Sequence, residues 1–566
     1  MIHPMRPASR IDKEFVTCDI ENASDGTVLA IGTYDGVEYH QHASWFDWLH
    51  FIAARTATQR YRNVYAHNGS GWDWLSLVEW LLRNSLWDTH VTRSPTMSDD
   101  DLLSLTLTVN GCNITLRDSL LLFRPEPASL EHLGQTFCGR GKTSLDDKLP
   151  EWYYHHNREA FDAYLKNDCV LLFDVLCKVH DVFFQIGSLG RLGITAPSCA
   201  MKLFRTRFLR RPIHTPTNAR LKAALRNAYR GGRVEVFRPG WHPKVRVYDV
   251  NSMYPSVMRD LPLPDTGKAT YCTRARFDSA GVFHVRFRQR CRNRPPLLMV
   301  GGKGSYVGEG WYFTPELRRF VGSLEVLEGW VFDSESLLFR EYVDTLYPMR
   351  MKDKSSALGK LCKVCLNSLY GKWAQKPERS TLQRLGPDEL DEAIANQLPV
   401  VEVSEEYSLY RVTEPCEVAH EHVGIAGMIT SEARGRLWDL MDSNTIYCDT
   451  DSIHTTGVLP VDPTTLGATK LEFEGEGVYA GKKLYSLRNA KTEKTRAKGV
   501  RVGGKMGCVL GFEDLLRIAR GASVACEFTT APTFNSVLRG GRSCTFSAKV
   551  NPTTKRHRRL RNTVDK

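Results

Sequence analysis

Three acids that lie far apart along the chain constrain its fold more than any other feature. The apolar run Val245–Val250 reads as a strand and carries Asp249, in Tyr248-Asp-Val-Asn-Ser-Met-Tyr-Pro255, where the chain enters a turn. About 200 residues later, Tyr447-Cys-Asp-Thr-Asp-Ser-Ile-His454 supplies Asp449 and Asp451, two apart within the strand-like run Thr445–Thr455. Like charges so close repel one another unless a cation sits between them. An isolated Asp-Thr-Asp is more often a polar turn. With Asp249 added, the three carboxylates form a candidate metal site that the fold must bring together.

Between these acids lies a basic helical stretch, Lys352–Trp373. Within it, Lys360-Leu-Cys-Lys-Val-Cys-Leu-Asn-Ser-Leu-Tyr-Gly-Lys372 puts Lys363, Asn367 and Tyr370 at i, i+4 and i+7 on one face. A core helix would not place Lys and Asn on the face that carries Tyr. The stripe offers a cation to a triphosphate, and an amide and an aromatic plane to a nascent base pair. Phosphoryl transfer needs little beyond such positioning and charge neutralisation.

A second set of acids occupies the N-terminal part. Cys18-Asp-Ile-Glu-Asn22 presents Asp19 and Glu21 on one face at a strand end. His67-Asn-Gly-Ser-Gly-Trp-Asp73 places Asp73 at the start of an amphipathic helix, where Asp is commonly an N-cap. Tyr164-Leu-Lys-Asn-Asp168 sets a hydroxyl and a carboxylate at i and i+4 of a helix. Each has a bland explanation alone. Together Asp19, Glu21, Asp73 and Asp168 could hold two divalent ions, with Tyr164 orienting a water for phosphodiester hydrolysis.

With 566 residues the chain is too long for one ordinary domain, and 42% hydrophobic with 25% charged residues excludes wholesale disorder. A formal charge of +12 favours a polyanionic partner such as nucleic acid. Lys482–Lys566 holds 20 Lys or Arg against 5 Asp or Glu, which makes the C-terminal part the expected polyanion surface. Its last basic run, Lys555–Arg561, could equally be a solvated tail. Fifteen cysteines without a secretory leader point to a reducing compartment, and the lone pair Cys362 and Cys365 is a poor zinc site. No apolar stretch of about 18 residues argues for a membrane span. The first 185 residues alternate strand-like runs (Phe15–Ile20, Val28–Tyr34, Leu103–Val109) with helix-like runs (Trp72–Arg83, Glu159–Phe184), an α/β pattern. The basic segment Arg205–Arg211, followed by Pro212 and Pro216, reads as a linker between domains.

The four acids and the tyrosine resemble, in order and spacing, the three motifs of DnaQ-like 3′ to 5′ exonuclease domains. The middle motif departs from the pattern: four residues separate Asn68 from Asp73, and Trp72 stands where Phe or Tyr is usual. The later motifs closely resemble those of family B DNA polymerases, with DVNSMYP, KVCLNSLYG and YCDTDS as motifs A, B and C and Lys483-Leu-Tyr485 as the K-x-Y motif. Met253 replaces the usual Leu, a volume-conserving change. Tyr229-Arg-Gly-Gly232, Ser119-Leu-Leu-Leu-Phe123 and Lys142-Thr-Ser-Leu145, with the short N-terminal lead, are similar to the protein-primed branch of bacteriophages and linear plasmids.

The resemblance implies an α/β plus α+β multidomain fold. An RNase H-like exonuclease domain (residues 1–187) would precede a right-hand polymerase. The palm would occupy 188–262 and 421–500, the fingers 347–376, the thumb and basic tail 501–566, and two insertions 263–346 and 377–420. It implies that Asp249, Val250 and Asp451 hold metal with Asp449 in support, and that Tyr254 packs under the sugar to exclude a 2′-hydroxyl. Lys360, Lys363, Asn367 and Tyr370 would meet the dNTP, and Lys483 and Tyr485 the primer end. Asn68, Ser119, Leu120, Lys142, Tyr229, Gly231, Gly232 and Gly371 would meet DNA or the priming protein. The implied cofactor is Mg²⁺, two per active site, with Mn²⁺ an alternative. The implied partners are template and primer DNA, dNTPs and a terminal (priming) protein. A monomer in the host cytoplasm, without membrane contact, is expected. Strand-displacing replication of a viral or plasmid genome is the expected role, and primer-independent or ordinary primer extension stays open. A nuclease with an inactive palm is opposed by the intact Asp249, Asp449, Asp451, Lys363 and Tyr370. A non-enzymatic nucleic-acid-binding protein leaves two sets of acids unexplained.

Overall fold

The computed structural model describes residues 1–59, 63–98, 101–124, 128–145, 148–291, 293–498, 500, 502, 508–530 and 544–550. The basic run 555–561 lies outside them. Among the described residues no helix is long and apolar enough to cross a membrane.

The N-terminal third is a sheet with helices on both faces. Strand Phe15–Asn22 pairs antiparallel with Val28–Tyr34 and parallel with Asn63–Ala66, which pairs parallel with Cys112–Asp118. Alternation along these strands buries one face against Trp45, Trp48 and Trp74. The other face packs on the 30-residue helix Arg158–Gly187, through Leu171, Leu172 and Val175 among others. The expected strands and helices of this region all form, with ends shifted by a few residues.

The sheet does not stop there. Asp101–Val109 and Arg93–Ser98 extend it antiparallel, and strand Glu378–Arg384 adds to Arg93–Ser98 with Thr381 opposite Thr96. Leu409–Pro415 and Val400–Ser404 follow, and with Tyr39–His42 beside Val28–Tyr34 at the other edge they complete ten strands. The 377–420 region is therefore joined edge to edge to the N-terminal sheet, so the strand edge it covers is not left unpaired.

A second, seven-stranded antiparallel sheet runs in the order Glu493–Ala497, Leu484–Arg488, Thr469–Gly481, Gly240–Val250, Ser452–Thr455, Thr445–Asp449, Val234–Val236. Helix Val423–Asp439 packs with Met253–Asp260 on one of its faces, and is buried nearly all round, which explains its weak amphipathicity. Residues 263–346 contribute a four-stranded antiparallel sheet between the two halves of this unit. Helix Phe512–Ala519 packs on the Thr469–Gly481 strand.

Three expectations change. Thr445–Thr455 is a hairpin rather than one strand, because Thr450 adopts a left-handed backbone, φ 66°, between the two acids. Lys352–Trp373 is not one helix: Lys352 ends helix Arg340–Lys352, and helix Ala357–Lys372 starts after a turn, with Ser356 capping it by accepting from the Gly359 N–H. The Arg205–Arg211 segment is no free linker. Its first half continues helix Ala196–Leu203, Arg205 Nε donates to the His3 carbonyl at 2.9 Å, and Ile213 bridges to Ile2. The N-terminal strand-like segment supplies acceptors that a basic linker would otherwise leave to water.

Candidate active sites

The seven-stranded sheet brings the three distant acids together by register. Asp249 lies opposite Ser452 on one neighbouring strand and Lys470 on the other. Asp449 ends one arm of the hairpin and Asp451 sits in its turn, where its carbonyl accepts from Val250 N at 2.9 Å. Asp449 is held by three donors: Tyr447 Oη at 3.1 Å, Thr450 Oγ1 at 3.2 Å and Lys483 Nζ at 3.1 Å. Burial first, then the Asp249 charge, pushes the Asp451 carboxyl up to about 7. Burial also raises Asp249, against the pull of Lys470, whose Nζ lies 3.1 Å from Asp249 Oδ2 and 2.8 Å from Glu472 Oε1.

Backbone strain concentrates here. Among the described residues ten non-glycine residues have positive φ, and Ser252, Thr450 and Lys483 are three of them, with Asn68 at the N-terminal site a fourth. A β-branched residue such as Thr450 pays steric strain in this conformation, and such strain persists only where surrounding structure fixes it. Thr450 N donates to the Arg233 carbonyl at 2.8 Å, and its side chain packs so tightly on Gly232 that a Cβ there would lie 2.7 Å from Thr450 Cγ2.

A cavity of about 700 Å³ opens over the acids, lined also by Lys483, Tyr485, Lys494, Arg496 and Lys498. The last three cations belong to the basic segment expected to meet a polyanion, and carry no motif that ties them to this site. Their i, i+2, i+4 spacing puts them on one face of the strand Glu493–Ala497 and its continuation, a signal that strand periodicity carries. Across the palm, Tyr254 of helix Met253–Asp260 stacks on Tyr370 of helix Ala357–Lys372, with ring centroids 4.1 Å apart and planes 13° apart. Lys363 and Asn367 lie on the same helix, Lys363 half-buried and Asn367 exposed. Lys360 points elsewhere: its Nζ reaches His132 Nε2 at 2.8 Å and Thr136 Oγ1 at 2.7 Å on helix Leu130–Cys138 of the N-terminal unit. Cys362 and Cys365 are buried thiols, raised by that burial.

At the N-terminal site, Asp19 and Glu21 share the end of one strand, Asp73 opens helix Asp73–Arg83, and Asp168 and Tyr164 project from Arg158–Gly187. Burial and mutual repulsion raise Asp19 well above the carboxylate range, and burial lifts Glu21 to about 7 and Asp73 to about 8. Lys142, an exposed residue, sets its Nζ 2.5 Å from the buried Asp168 Oδ2 and 3.5 Å from Tyr164 Oη, at the open side of the acid cluster. Asp168 Oδ1 is buried without a hydrogen bond among the described residues. Ser119, expected to touch DNA or priming protein, is fully buried; it donates to the Ala66 carbonyl at 3.2 Å and sits 2.9 Å from His67 Nδ1. Leu120 N donates to Asp118 Oδ1, which also accepts from Asn68 N, so this run shapes the Asn68 turn. Gly231 and Gly371 face open space, and Tyr229 ends helix Ala219–Ala228 half-buried.

The donors at both sites are hard carboxylate oxygens, the set that Mg²⁺-type cations take. Among the described residues no three of these side chains already converge on one ion position. Part-buried and buried carboxylates repelling one another, with ammonium groups set against Asp249, Asp449 and Asp168, are nevertheless sites whose chemistry fits a cation.

A palm sheet with paired acids, a helical finger stacked on it and an N-terminal RNase H-like unit with its own acid cluster together define a family B polymerase architecture. A profile described as DNA polymerase type B, organellar and viral, matches residues 153–459. The chain belongs to that family. It is 25% identical over 524 residues to a probable DNA polymerase of Neurospora intermedia, a match covering 77% of this chain, and it spans about half, 53%, of that relative's length. It is 27% identical over 453 residues to the DNA-directed DNA polymerase of Enterobacteria phage PRD1, covering 75% of this chain and 73% of the relative. The fold is that of Phi29 DNA polymerase complexed with primer-template DNA and incoming nucleotide, with TM-score 0.72, 21% identity, and coverage of 95% and 99% of the two chains.

Proposed function

We propose that this chain is a DNA-directed DNA polymerase that extends a primer under template direction and removes nucleotides 3′ to 5′ at its separate N-terminal site. The observation that carries this reading is the meeting of Asp249, Asp449 and Asp451 in one cavity with a row of cations. Asp249 and Asp451, beside the Val250 backbone, would hold divalent cations, Mg²⁺ or Mn²⁺. Bound there, such ions neutralise phosphate charge and stabilise attacking and leaving oxygens. Asp449, fixed by Tyr447, Thr450 and Lys483, holds the cluster in shape. Lys363 meets the triphosphate, and Tyr254 and Tyr370 form the floor under sugar and base. Lys483 and Tyr485 hold the primer end, and the Tyr229–Gly232 turn meets template.

At the N-terminal site Asp19, Glu21, Asp73 and Asp168 would hold the second set of cations, while Tyr164 and Lys142 orient the attacked phosphate and water. The PRD1 and Phi29 likenesses support DNA and dNTPs as partners. A priming protein is proposed as a further partner, carried on regions 263–346 and 377–420. The reading is tested by extension of a primed template in Mg²⁺. Wild type extends and Asp249→Ala does not; no extension by wild type overturns it.

A further inference from the structure

Behind the N-terminal sheet, at the ends of its parallel strands opposite to Asp19, lies a cavity of about 380 Å³ that neither carboxylate site uses. It is lined by Arg117, Arg191, Lys202, His180 and Tyr65 and also by the acids Asp12 and Glu14. Asp12 is taken by Arg191. Lys202 is mostly buried, donates to the Leu192 carbonyl at 2.9 Å, and has the guanidiniums of Arg117 and Arg191 as its charged neighbours. His180 is only 4% exposed, yet its Nδ1 has no hydrogen-bond partner among the described residues, and neither does the buried Arg117 Nε. Buried polar atoms are rarely left unmatched, and with Asp12 taken by Arg191 the cations Arg117 and Lys202 face only Glu14, which leaves an excess of positive charge for a further anion.

The cavity continues into a groove of about 810 Å³ that shares Asp12, Glu14, Arg191 and Lys202 and adds Arg6, Arg10 and Lys13. Its wall is the N-terminal segment, pinned by Met5 N to the Arg205 carbonyl at 2.8 Å and Ala8 N to the Ser188 carbonyl at 2.9 Å. We propose that this cavity is a phosphate-ester site, with Lys202, Arg117 and His180 closing on a phosphate and the basic groove receiving whatever the phosphate carries. The volume exceeds that of a bare phosphate and leaves room for a sugar. The same chemistry is offered by a free mononucleotide and by a phosphate within a single strand. The inference does not rest on either catalytic reading.

The test uses the full chain with Asp19→Ala and Asp249→Ala, in chelator and low salt, so that neither carboxylate site turns over ligand. Thymidine monophosphate, pyrophosphate and a 5′-phosphorylated oligothymidylate are titrated while the His180 imidazole is followed by NMR, assigned with His180→Asn. Ligand is expected to move the His180 resonance. Lys202→Gln is expected to weaken binding about tenfold or more, with Lys202→Arg restoring it. A response to thymidine monophosphate marks a mononucleotide site, and a response to the oligonucleotide alone marks a strand path. A His180 resonance unmoved by all three ligands, or binding unchanged in Lys202→Gln, overturns the proposal. Should Lys202→Gln fail to fold, Arg117→Gln and the wild-type His180 response decide in the same way.

Discussion

Tyr254 and Tyr370 lie ring on ring at 4.1 Å, and this stack joins the helix after Asp249 to the helix that carries Lys363. Tyr254 is only 8% exposed, so packing and the Tyr370 stack fix its ring, which is proposed to border the sugar. Tyr254→Val opens that space. The expected outcome is a loss of discrimination between dNTP and rNTP of about 10- to 200-fold, the range for a small apolar volume. Tyr254→Phe should keep it. The ratio of kcat/KM for the two nucleotides checks this.

Gly232 and Gly231 provide an internal control. A Cβ at 232 would meet three Thr450 atoms at 3.0 Å or closer, whereas one at 231 meets nothing within 4 Å. Thr450 sits between the two hairpin acids, so Gly232→Ala should displace Asp449 and Asp451. A displacement near 1 Å costs about 100-fold in rate. Gly231→Ala lies in the turn proposed to meet template but leaves the acids in place, so at saturating primer-template its single-turnover extension rate should stay well above that of Gly232→Ala.

Arg434 and Glu316 form a fully buried ion pair, each 2% exposed, with Arg434 Nη2 2.6 Å from Glu316 Oε2. Arg434 Nη1 also donates to the Arg230 and Gly231 carbonyls, at 2.6 and 2.9 Å, and so ties the proposed template turn to helix Val423–Asp439. Removing one partner leaves a buried charge unpaired. Glu316→Ala is expected to destabilise the unit by about 3–5 kcal/mol, read as a lower midpoint in chemical denaturation.

His454 is buried beneath the acids, with Nδ1 2.7 Å from Tyr479 Oη, and burial lowers its pKa to about 3. In the unfolded chain the imidazole takes up a proton near pH 6.5. Between about pH 6.5 and 3 the unfolded state therefore binds more protons, and stability falls as pH falls through this window. His454→Asn should lack this component. Urea midpoints measured from pH 7 to 4 should decline more steeply in the wild type than in the variant.

The acids were legible because spacing and strand ends are local properties. Asp249, Asp449 and Asp451 needed only the chain to fold back for sheet register to align them. What escaped was set by contacts between distant segments. Nothing near Glu378–Arg384 announces that Thr381 will face Thr96 across the edge of the N-terminal sheet. Lys360 reads as part of a nucleotide-facing helix until His132 and Thr136 are placed against it. Ser119 reads as a contact to DNA or the priming protein, but the Ala66 carbonyl and the His67 ring take its hydroxyl in a buried position. Lys470 and Glu472 carry no motif and enter the site through strand pairing alone.

The central claim is that two carboxylate centres on separate sheets do separate chemistry, one adding nucleotides and one removing them. The most direct measurement gives a labelled primer-template with dNTPs and a labelled single strand, in Mg²⁺, to Asp249→Ala and to Asp19→Ala/Glu21→Ala. The account predicts that Asp249→Ala loses extension and still degrades the single strand from its 3′ end, while Asp19→Ala/Glu21→Ala extends primers and no longer degrades. Loss of both activities in either variant, or extension surviving Asp249→Ala, would contradict it.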